Sequence, residues 1–278
     1  MRSMQFSGTF YASGKNELGK FIEEAVSNAD VKAKQGSAVK AIVAPHAGYV
    51  YSGGIAAYSY KALAESQGPG KLDTAIIVGP NHTGLGEPIA VSMEDWDTPF
   101  GAVKNNKELS KAIIGSSKYI SEDESAHSEE HSIEVQLPFL KYMFPGTSAC
   151  FICQGDQSPD ASKILSKAII SAAKASGKRI AIIASSDFNH YEPASAAKEK
   201  DSKLLAAIEK LDTTEFNNAV LETQDSACGI GPIMVAMEYS KANGVSKATL
   251  LKYGNSGEAT MDYSSVVAYS AIGFYGTA

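Results

Sequence analysis

The sequence is short of cysteine, of basic clusters and of long apolar runs, and each shortage excludes a class of protein. Three cysteines among 278 residues cannot form the disulfide framework of a secreted domain, so a reducing, cytoplasmic location is expected. With 25 basic and 31 acidic side chains and a net charge of −6, no nucleic-acid partner is expected. The longest apolar runs, such as residues 41–45, fall far short of the about 20 residues that cross a bilayer, so no membrane association is expected.

Several catalytic signatures are absent as well. The chain contains no G-x-S-x-G nucleophile elbow, no Walker phosphate loop and no H-E-x-x-H zinc motif. Ser185 or Ser186 with Asp187 and His190 could suggest a hydrolase, but these residues are close in sequence and would need an unusual turn to relay a proton.

Short apolar runs rich in β-branched residues alternate with stretches of helical periodicity. The predicted strands are Val39 to Ala44, Thr74 to Val78, Ala149 to Cys153, Arg179 to Ala184, Ala248 to Tyr253 and Val266 to Phe274. The predicted helices are Leu18 to Ser27, Ile55 to Glu65, Glu129 to Tyr142, Ala161 to Ala175, Ala194 to Leu211 and Pro232 to Ala242. This alternation predicts an α/β fold with a mostly parallel or mixed central sheet between helical layers.

The organisation of the chain favours one domain. Gln67-Gly68-Pro69-Gly70 predicts a short turn, and no stretch has the composition of a linker. Residues 1–278 are therefore expected to form a single domain. The last strands lack an intervening long helix, so this end of the sheet is expected to be antiparallel.

Three of the five histidines follow directly after predicted buried strands. His46 comes after the first strand, His82 after the second, and Asp187 and His190 after the fourth. Because ligands bind at the carboxyl ends of strands in open α/β sheets, these side chains are expected to converge. Imidazoles that meet at one point are typical of a transition-metal centre, with His46 and His82 as ligands. His190 is expected to act there either as a base or as a ligand.

The three cysteines differ in their expected roles. Cys228 lies shortly before the helix that Pro232 opens, and the start of a helix favours the thiolate form that binds a metal. The alternative for Cys228 is a small buried apolar residue. Cys150 and Cys153 form a C-x-x-C pair inside a predicted strand, where this spacing places them on opposite faces. Both are therefore expected to be structural.

A further histidine lies in Glu130-His131-Ser132-Ile133-Glu134, on a predicted helix. There His131 and Glu134 would share one face, so His131 is expected to line the pocket, with a helix-surface pair as the alternative. Pro138 falls inside the same helix and is expected to kink it or to end its first half. His127 lies in a polar, acidic loop and is expected to be solvated.

Taken together, these motifs resemble those of one family. The chain contains Ala44-Pro45-His46-Ala47-Gly48-Tyr49, Gly79-Pro80-Asn81-His82, Thr98-Pro99, Glu130-His131-Ser132-Ile133-Glu134, Leu137-Pro138, Ser185-Ser186-Asp187-Phe188-Asn189-His190 and Cys228-Gly229. The set is similar to that of the Memo family, whose microbial members are called AmmeMemoRadiSam system protein B. The resemblance runs from about Phe6 to the C-terminus.

The resemblance implies a LigB-like fold, that is, a single α/β domain similar to the catalytic subunit of class III extradiol dioxygenases. It implies one metal ion, iron or copper, held by residues that match His46, His82 and Cys228. It also places Asp187 and His190 in the pocket, with His190 similar to the acid/base histidine of the dioxygenases. LigB-type enzymes have a carboxylate where this chain offers Cys228, which argues against ordinary catechol cleavage and for tolerance of copper or zinc.

Three functions are compatible with these residues. The first is a non-haem iron-dependent oxidoreductase of unknown substrate, in which His190 moves protons, Asp187 sets its tautomer or pKa and His131 lines the pocket. The second is a non-catalytic protein that binds a metal or a peptide and acts with a radical-SAM-associated partner. The third is a metal-dependent hydrolase in which the ion activates water.

Overall fold

The computed structural model describes residues 1–32, 37–67 and 72–277, so residues 68–70 of the predicted turn lie outside the described residues. Its strands are β1 Ser37–Ala44, β2 Thr74–Pro80, β3 Ile89–Ser92, β4 Ser121–Glu122, β5 Ser148–Gln154, β6 Ile180–Ser185, β7 His190–Glu192, β8 Ala248–Asn255 and β9 Val266–Thr277. They form one sheet in the order β4-β3-β5-β2-β6-β1-β9-β7, with β8 paired to β9.

The centre of the sheet is parallel, and an antiparallel pairing lies on each side of it, although the short edge strand β4 runs parallel to β3. β2 runs parallel to β5 and β6, and β1 runs parallel to β6. β3 is antiparallel to β5, while β9 is antiparallel to both β1 and β8. The prediction of a mixed α/β sheet that ends in antiparallel strands is confirmed. The carboxyl ends of β1, β6 and β2 lie side by side at one edge of the sheet.

Helices cover both faces of the sheet. They are α1 Lys15–Asn28, α2 Tyr49–Gln67, α3 Lys107–Ile114, α4 Leu137–Met143, α5 Pro159–Ser176, α6 Ala194–Glu209, α7 Thr213–Thr223, α8 Ile230–Ala242 and α9 Gly257–Thr260. Side chains of α1, α2 and α4 form the core on one face, and those of α3, α5, α6, α7 and α8 form it on the other. Since both faces are covered, the central strands β2 and β6 are buried along their whole length.

The C-x-x-C pair shows how β5 divides between these two cores. Cys150 packs with the core of α5 and α8, whereas Cys153 packs with the core of α2 and α4. Both side chains are fully buried, and burial raises the pKa of Cys150 to about 12. The two thiols fill core space on opposite faces, as the spacing predicts.

The predicted helix from Glu129 to Tyr142 is wrong over its first half. The structure has a 3-10 turn at Glu134–Gln136 and then α4, in which Pro138 occupies the first turn. Proline fits that position because the missing N–H has no partner there. Pro138 therefore helps to begin a helix instead of kinking one. The residues before the turn are held in place by Glu130, which bonds to the loop after β2.

Several short elements have no counterpart in the sequence prediction. β3 has four residues and β4 has two, which is too short for a periodic pattern to be recognised. α3 has eight residues and is capped by Asn106, whose side chain accepts a hydrogen bond from Leu109 N. Among the described residues, no helix combines the length and the apolar composition needed to cross a bilayer.

Candidate metal centre

Three histidine rings meet at the edge of the sheet where β1 and β2 end. The ring centroids of His46 and His82 lie 5.2 Å apart. The ring of His131 lies 5.3 Å from that of His46 and stacks at 4.6 Å on that of His82. One nitrogen from each ring lies within 4.8 Å of the other two, so this group is positioned to hold one metal ion. The expected convergence is found for His46 and His82, and His131 joins them, whereas His190 does not belong to this group.

Ser185, the last residue of β6, fixes the orientation of His46. Its Oγ donates a hydrogen bond to the Ser132 carbonyl at 2.7 Å and accepts one from Gln136 Nε2 at 2.8 Å. A hydroxyl has only one hydrogen to donate, so His46 Nδ1, 2.9 Å from the same Oγ, must be the donor. The imidazole proton therefore lies on Nδ1, and Nε2 presents the lone pair that binds a metal.

Glu130 fixes His82 in the same way. One carboxylate oxygen lies 2.8 Å from His82 Nδ1, and the other accepts the backbone N–H of His82 at 2.6 Å. Burial raises the pKa of Glu130, but hydrogen bonds from His82 and Ser132 outweigh burial and lower it to about 2. An ionised carboxylate can only accept, so it holds the proton on Nδ1 and leaves Nε2 of His82 free.

A glycine near the end of β2 lets the Glu130 segment approach this closely. A Cβ atom on Gly79 would lie 2.4 Å from Ser132 Oγ and 2.9 Å from Ile133 Cγ1. The segment therefore packs directly against the strand, and Ser132 Oγ donates to the Pro80 carbonyl at 3.1 Å. The sequence analysis did not identify Glu130 as the partner of His82. The only available signal was that Glu130 is a carboxylate directly before His131.

Burial favours the neutral form of two of the clustered imidazoles, those of His46 and His131. It lowers the pKa of His131 to about 4. Burial and then the neighbouring histidines lower the pKa of His46 well below its usual value. Neutral rings bind a metal without first losing a proton, so the donor set suits a transition-metal ion.

Cys228 adjoins this group immediately before α8. Its Sγ lies 3.2 Å from His46 Nε2 and accepts the backbone N–H of Asp187 at 3.2 Å. Burial and the neighbouring Asp187 raise the pKa of the Cys228 thiol, which opposes the thiolate that a helix start favours. A bound cation reverses this balance, because a coordinating thiol is deprotonated. The sulfur is thus within reach of an ion bound to His46.

The carboxylate of Asp187 contacts His46. Its Oδ1 accepts the backbone N–H of His46 at 2.8 Å, and its Oδ2 lies 4.0 Å from His46 Nε2. The side chain is 4% exposed, and burial raises its pKa to about 7. Asp187 is therefore able to gain or lose a proton near neutral pH beside the metal centre.

His190 lies where β7 begins and is half-buried. Its Nδ1 is 3.0 Å from the Ser226 carbonyl, which can only accept, so the proton lies on Nδ1 and Nε2 is free. Burial lowers the pKa of His190 below its usual value. Ser226 thus sets the tautomer of His190, so the expectation that Asp187 sets this tautomer is wrong, while a role of Asp187 in setting the pKa of His190 stays a prediction.

His131 faces an aromatic wall formed by the first residues of the chain. Its ring lies 4.7 Å from that of Phe10 and 5.6 Å from that of Phe6. Glu134, expected to share a helix face with His131, instead accepts the backbone N–H of Phe6 at 2.8 Å and forms a buried ion pair with Arg2. Glu134 therefore anchors the segment that carries the aromatic rings beside His131.

The prediction that His127 is solvated is wrong. The side chain is 0% exposed and its ring packs edge-on against Trp96 at 5.5 Å. Its main-chain carbonyl accepts a hydrogen bond from Arg2 Nε at 2.8 Å. Burial lowers the pKa of His127 to about 4. Residues distant in sequence bring His127 into the core despite its acidic neighbours.

Comparison with known proteins agrees with the motifs. A family model described as Memo-like protein matches residues 2–273. The chain belongs to the Memo family. A MEMO1 family protein of Desulfurococcus amylolyticus is 44% identical over 283 residues, which is 99% of each chain. Another from Methanosarcina acetivorans is 41% identical over 273 residues, which is 98% of each chain.

A solved structure shows the same fold at low sequence identity. The uncharacterized protein JW3007 from Escherichia coli K12 superposes with a TM-score of 0.56 at 13% identity. The match covers 84% of this chain and 99% of that one. At this identity the likeness concerns the fold alone, so the function of the Memo-family site has to be argued from its own residues.

Proposed function

We propose that the chain binds one transition-metal ion through Nε2 of His46 and of His82, with Cys228 as the third ligand and iron as the favoured ion. The observation that carries this proposal is the pair of fixed tautomers. Ser185 and Glu130 each hold a ring by Nδ1, which turns both Nε2 atoms towards one place. Metal-binding histidines use such partners to fix the tautomer and the ring orientation.

Two side chains compete for the third position. Cys228 Sγ lies 3.2 Å from His46 Nε2, whereas His131 belongs to the compact group of ring nitrogens. Two imidazoles and a thiolate favour iron, copper or zinc over magnesium or calcium. In our proposal Cys228 binds the ion, and His131 lines the pocket beside it together with Phe10.

The activity that this arrangement supports best is a dioxygenase-like oxidoreductase reaction on a small molecule or a peptide. Iron, when bound with open positions, supplies one-electron chemistry and a place for O2. His190 takes or gives a proton at its free Nε2, and Asp187 exchanges a proton near neutral pH. The wall of His131, Phe6 and Phe10 excludes water from one side.

The ligand assignment is tested by the pH dependence of metal affinity. Because the Cys228 thiol must lose its proton to bind, Co(II) affinity should rise about tenfold per pH unit from pH 6 to pH 8. Cys228→Ser should flatten that slope, and His131→Gln should leave it unchanged. Titrations of the metal-free protein followed by the visible absorption of Co(II) measure both. A wild-type affinity that stays constant from pH 6 to pH 8, together with a loss of affinity in His131→Gln but not in Cys228→Ser, assigns the third position to His131.

The oxidoreductase assignment is tested separately. Protein loaded anaerobically with Fe(II) is exposed to O2 and candidate substrates, and oxygen uptake is measured. His190→Gln should keep the metal and lose most of the uptake, because the proton-transferring nitrogen is gone. A loaded wild-type protein that consumes no O2 with any substrate would reject the oxidoreductase and leave a metal-binding protein.

A further inference from the structure

Two carboxyl groups lie in contact behind the metal centre. Asp201, on α6, is 0% exposed, and its carboxyl group is in hydrogen-bond contact with that of Asp225. Asp225 lies in the loop between α7 and α8. Like charges in contact and away from water repel strongly, so both carboxyls cannot stay ionised without a compensating group.

The hydrogen bonds around the pair show what is missing. Asp201 accepts the backbone N–H of Asn189 on Oδ1 at 3.1 Å and the Tyr253 hydroxyl on Oδ2 at 2.6 Å. Asp225 Oδ1 accepts the backbone N–H of Ala227 at 2.8 Å. Asp225 Oδ2 is buried, and no donor among the described residues reaches it. A proton on Asp201 supplies that donor.

The pair joins two segments that carry site residues. Asn189, bonded to Asp201, immediately precedes His190, and Ala227, bonded to Asp225, immediately precedes Cys228. The two segments also touch directly, since the His190 backbone N–H donates to Ser226 Oγ at 2.8 Å. Contact between the two carboxyls is therefore one of the contacts that set the relative placement of His190 and Cys228.

No group among the described residues that faces the pair brings a positive charge to it. Tyr253 reaches it from β8, and burial and Asp201 raise the pKa of this phenol. Burial keeps His190 neutral by lowering its pKa, and Lys200 pairs with Glu192 at 2.8 Å. Burial, and then the charge of Asp225, raises the pKa of Asp201 to about 8.

We propose that Asp201 and Asp225 share one proton, and that this proton fastens residues 187–190 to residues 225–228. When the proton leaves at high pH, the two carboxylates repel and the segments separate, so that His190 and Cys228 lose their relative placement. The two aspartates are positioning residues. Their effect on metal binding rests on the function proposed above, whereas the shared proton does not.

Asp225→Asn tests the shared proton, because its amide can donate to Asp201 while its oxygen still accepts from Ala227. Folding of the wild type takes up a proton between the usual pKa of an aspartate and the raised one. Wild-type stability should therefore fall with rising pH in that window, by up to about tenfold per pH unit in the unfolding equilibrium. The variant should lack this fall, so its advantage grows up to about pH 8 and then stays constant.

Urea unfolding of the metal-free proteins from about pH 5 to pH 9 measures that advantage. Asp201→Asn should remove the same pH dependence from the other side of the pair. Asp30→Asn, on an exposed side chain, is the matched control and should follow the wild type. A difference between wild type and Asp225→Asn that is constant with pH overturns the proposal. Failure of Asp225→Asn to fold also overturns it, because the amide satisfies every hydrogen bond of the pair.

Hydrogen exchange and Co(II) binding test the positioning. At about pH 8.5 the amides of Asn189 and Ala227 should exchange at least about tenfold faster in the wild type than in Asp225→Asn, and equally at pH 6. The ratio of wild-type to variant Co(II) affinity should fall at least about tenfold between those pH values. A constant ratio together with equal exchange rejects the positioning. If the wild type binds no Co(II) at all, the proposed metal function fails, and unfolding and exchange still decide the shared proton.

Discussion

Two buried histidines show what separates a proposed metal ligand from a core residue. His46 is 1% exposed and His127 is 0% exposed, and burial lowers the pKa of both. His46 Nδ1 bonds to Ser185, and its Nε2 points among other site residues. Neither ring nitrogen of His127 has a hydrogen-bond partner among the described residues, and its ring packs on Trp96. The two residues are equally buried, so burial does not distinguish them. The distinguishing feature is the hydrogen-bond partner of Nδ1, which His46 has and His127 lacks within the part of the chain that the structure describes.

The largest difference between two variants is expected when the imidazole rings of His46 and of His127 are removed in turn. His46→Ala should lower Co(II) affinity by more than about 100-fold, since loss of an outer partner alone costs about 10–100-fold. His127→Ala should leave Co(II) affinity unchanged and lower the free energy of unfolding by about 2–4 kcal/mol, because it opens a cavity in the core. Metal titration and urea unfolding of both variants measure this. A similar loss of metal affinity in both would remove the distinction.

A smaller loss of Co(II) affinity should follow from removing the charged hydrogen-bond partner of His82 while the imidazole ring stays in place. Glu130→Gln should lower Co(II) affinity by about 10–100-fold, because the neutral amide holds His82 Nδ1–H less firmly. Glu129→Gln changes the adjacent exposed carboxylate and serves as the control, with no change expected. Equal affinities in the two variants would show that the partner of His82 does not matter.

The smallest loss of Co(II) affinity should come from removing the neutral hydrogen-bond partner of His46. Ser185→Ala removes the acceptor of His46 Nδ1, and Co(II) affinity should fall by about tenfold, less than in Glu130→Gln, because hydrogen bonds to charged groups are about twice as strong. Ser202→Ala, on an exposed face of α6, should have no effect. Isothermal titration of the metal into each protein measures the order. A larger loss in Ser185→Ala than in Glu130→Gln would reverse the comparison.

The strand-end histidines can be predicted from sequence because their signal is local. An apolar run followed within a few residues by His46 or His82 indicates both the strand and its carboxyl end. The role of Glu130 has no local signal, since its partner lies 48 residues away. The apolar pattern around Glu130 predicts a helix, whereas the segment that carries Glu130 forms a turn at the sheet edge. The pattern therefore gives no indication of the contact with His82.

The same limit explains His127 and the paired aspartates. The neighbours of His127 in sequence are polar, and its cover comes from Arg2, which lies 125 residues away, and from Trp96. Asp201 falls on the apolar stripe of α6 between Ala197 and Leu204, which indicates its burial but not its partner, and Asp225 lies in a loop. Periodicity describes what each residue does within its own element, whereas these contacts depend on how separate elements pack.

The sulfur of Cys228 contacts a ring that lies 182 residues earlier in the chain. At a synthesis rate of about 5–20 residues per second, roughly 9–36 s pass between the appearance of His46 and that of Cys228 at the ribosome. During this interval a nascent chain has first one and, after residue 82, both of the proposed imidazole ligands, but not the Cys228 sulfur. The ligand set that we propose is therefore complete only late in synthesis, after residue 228 has been made.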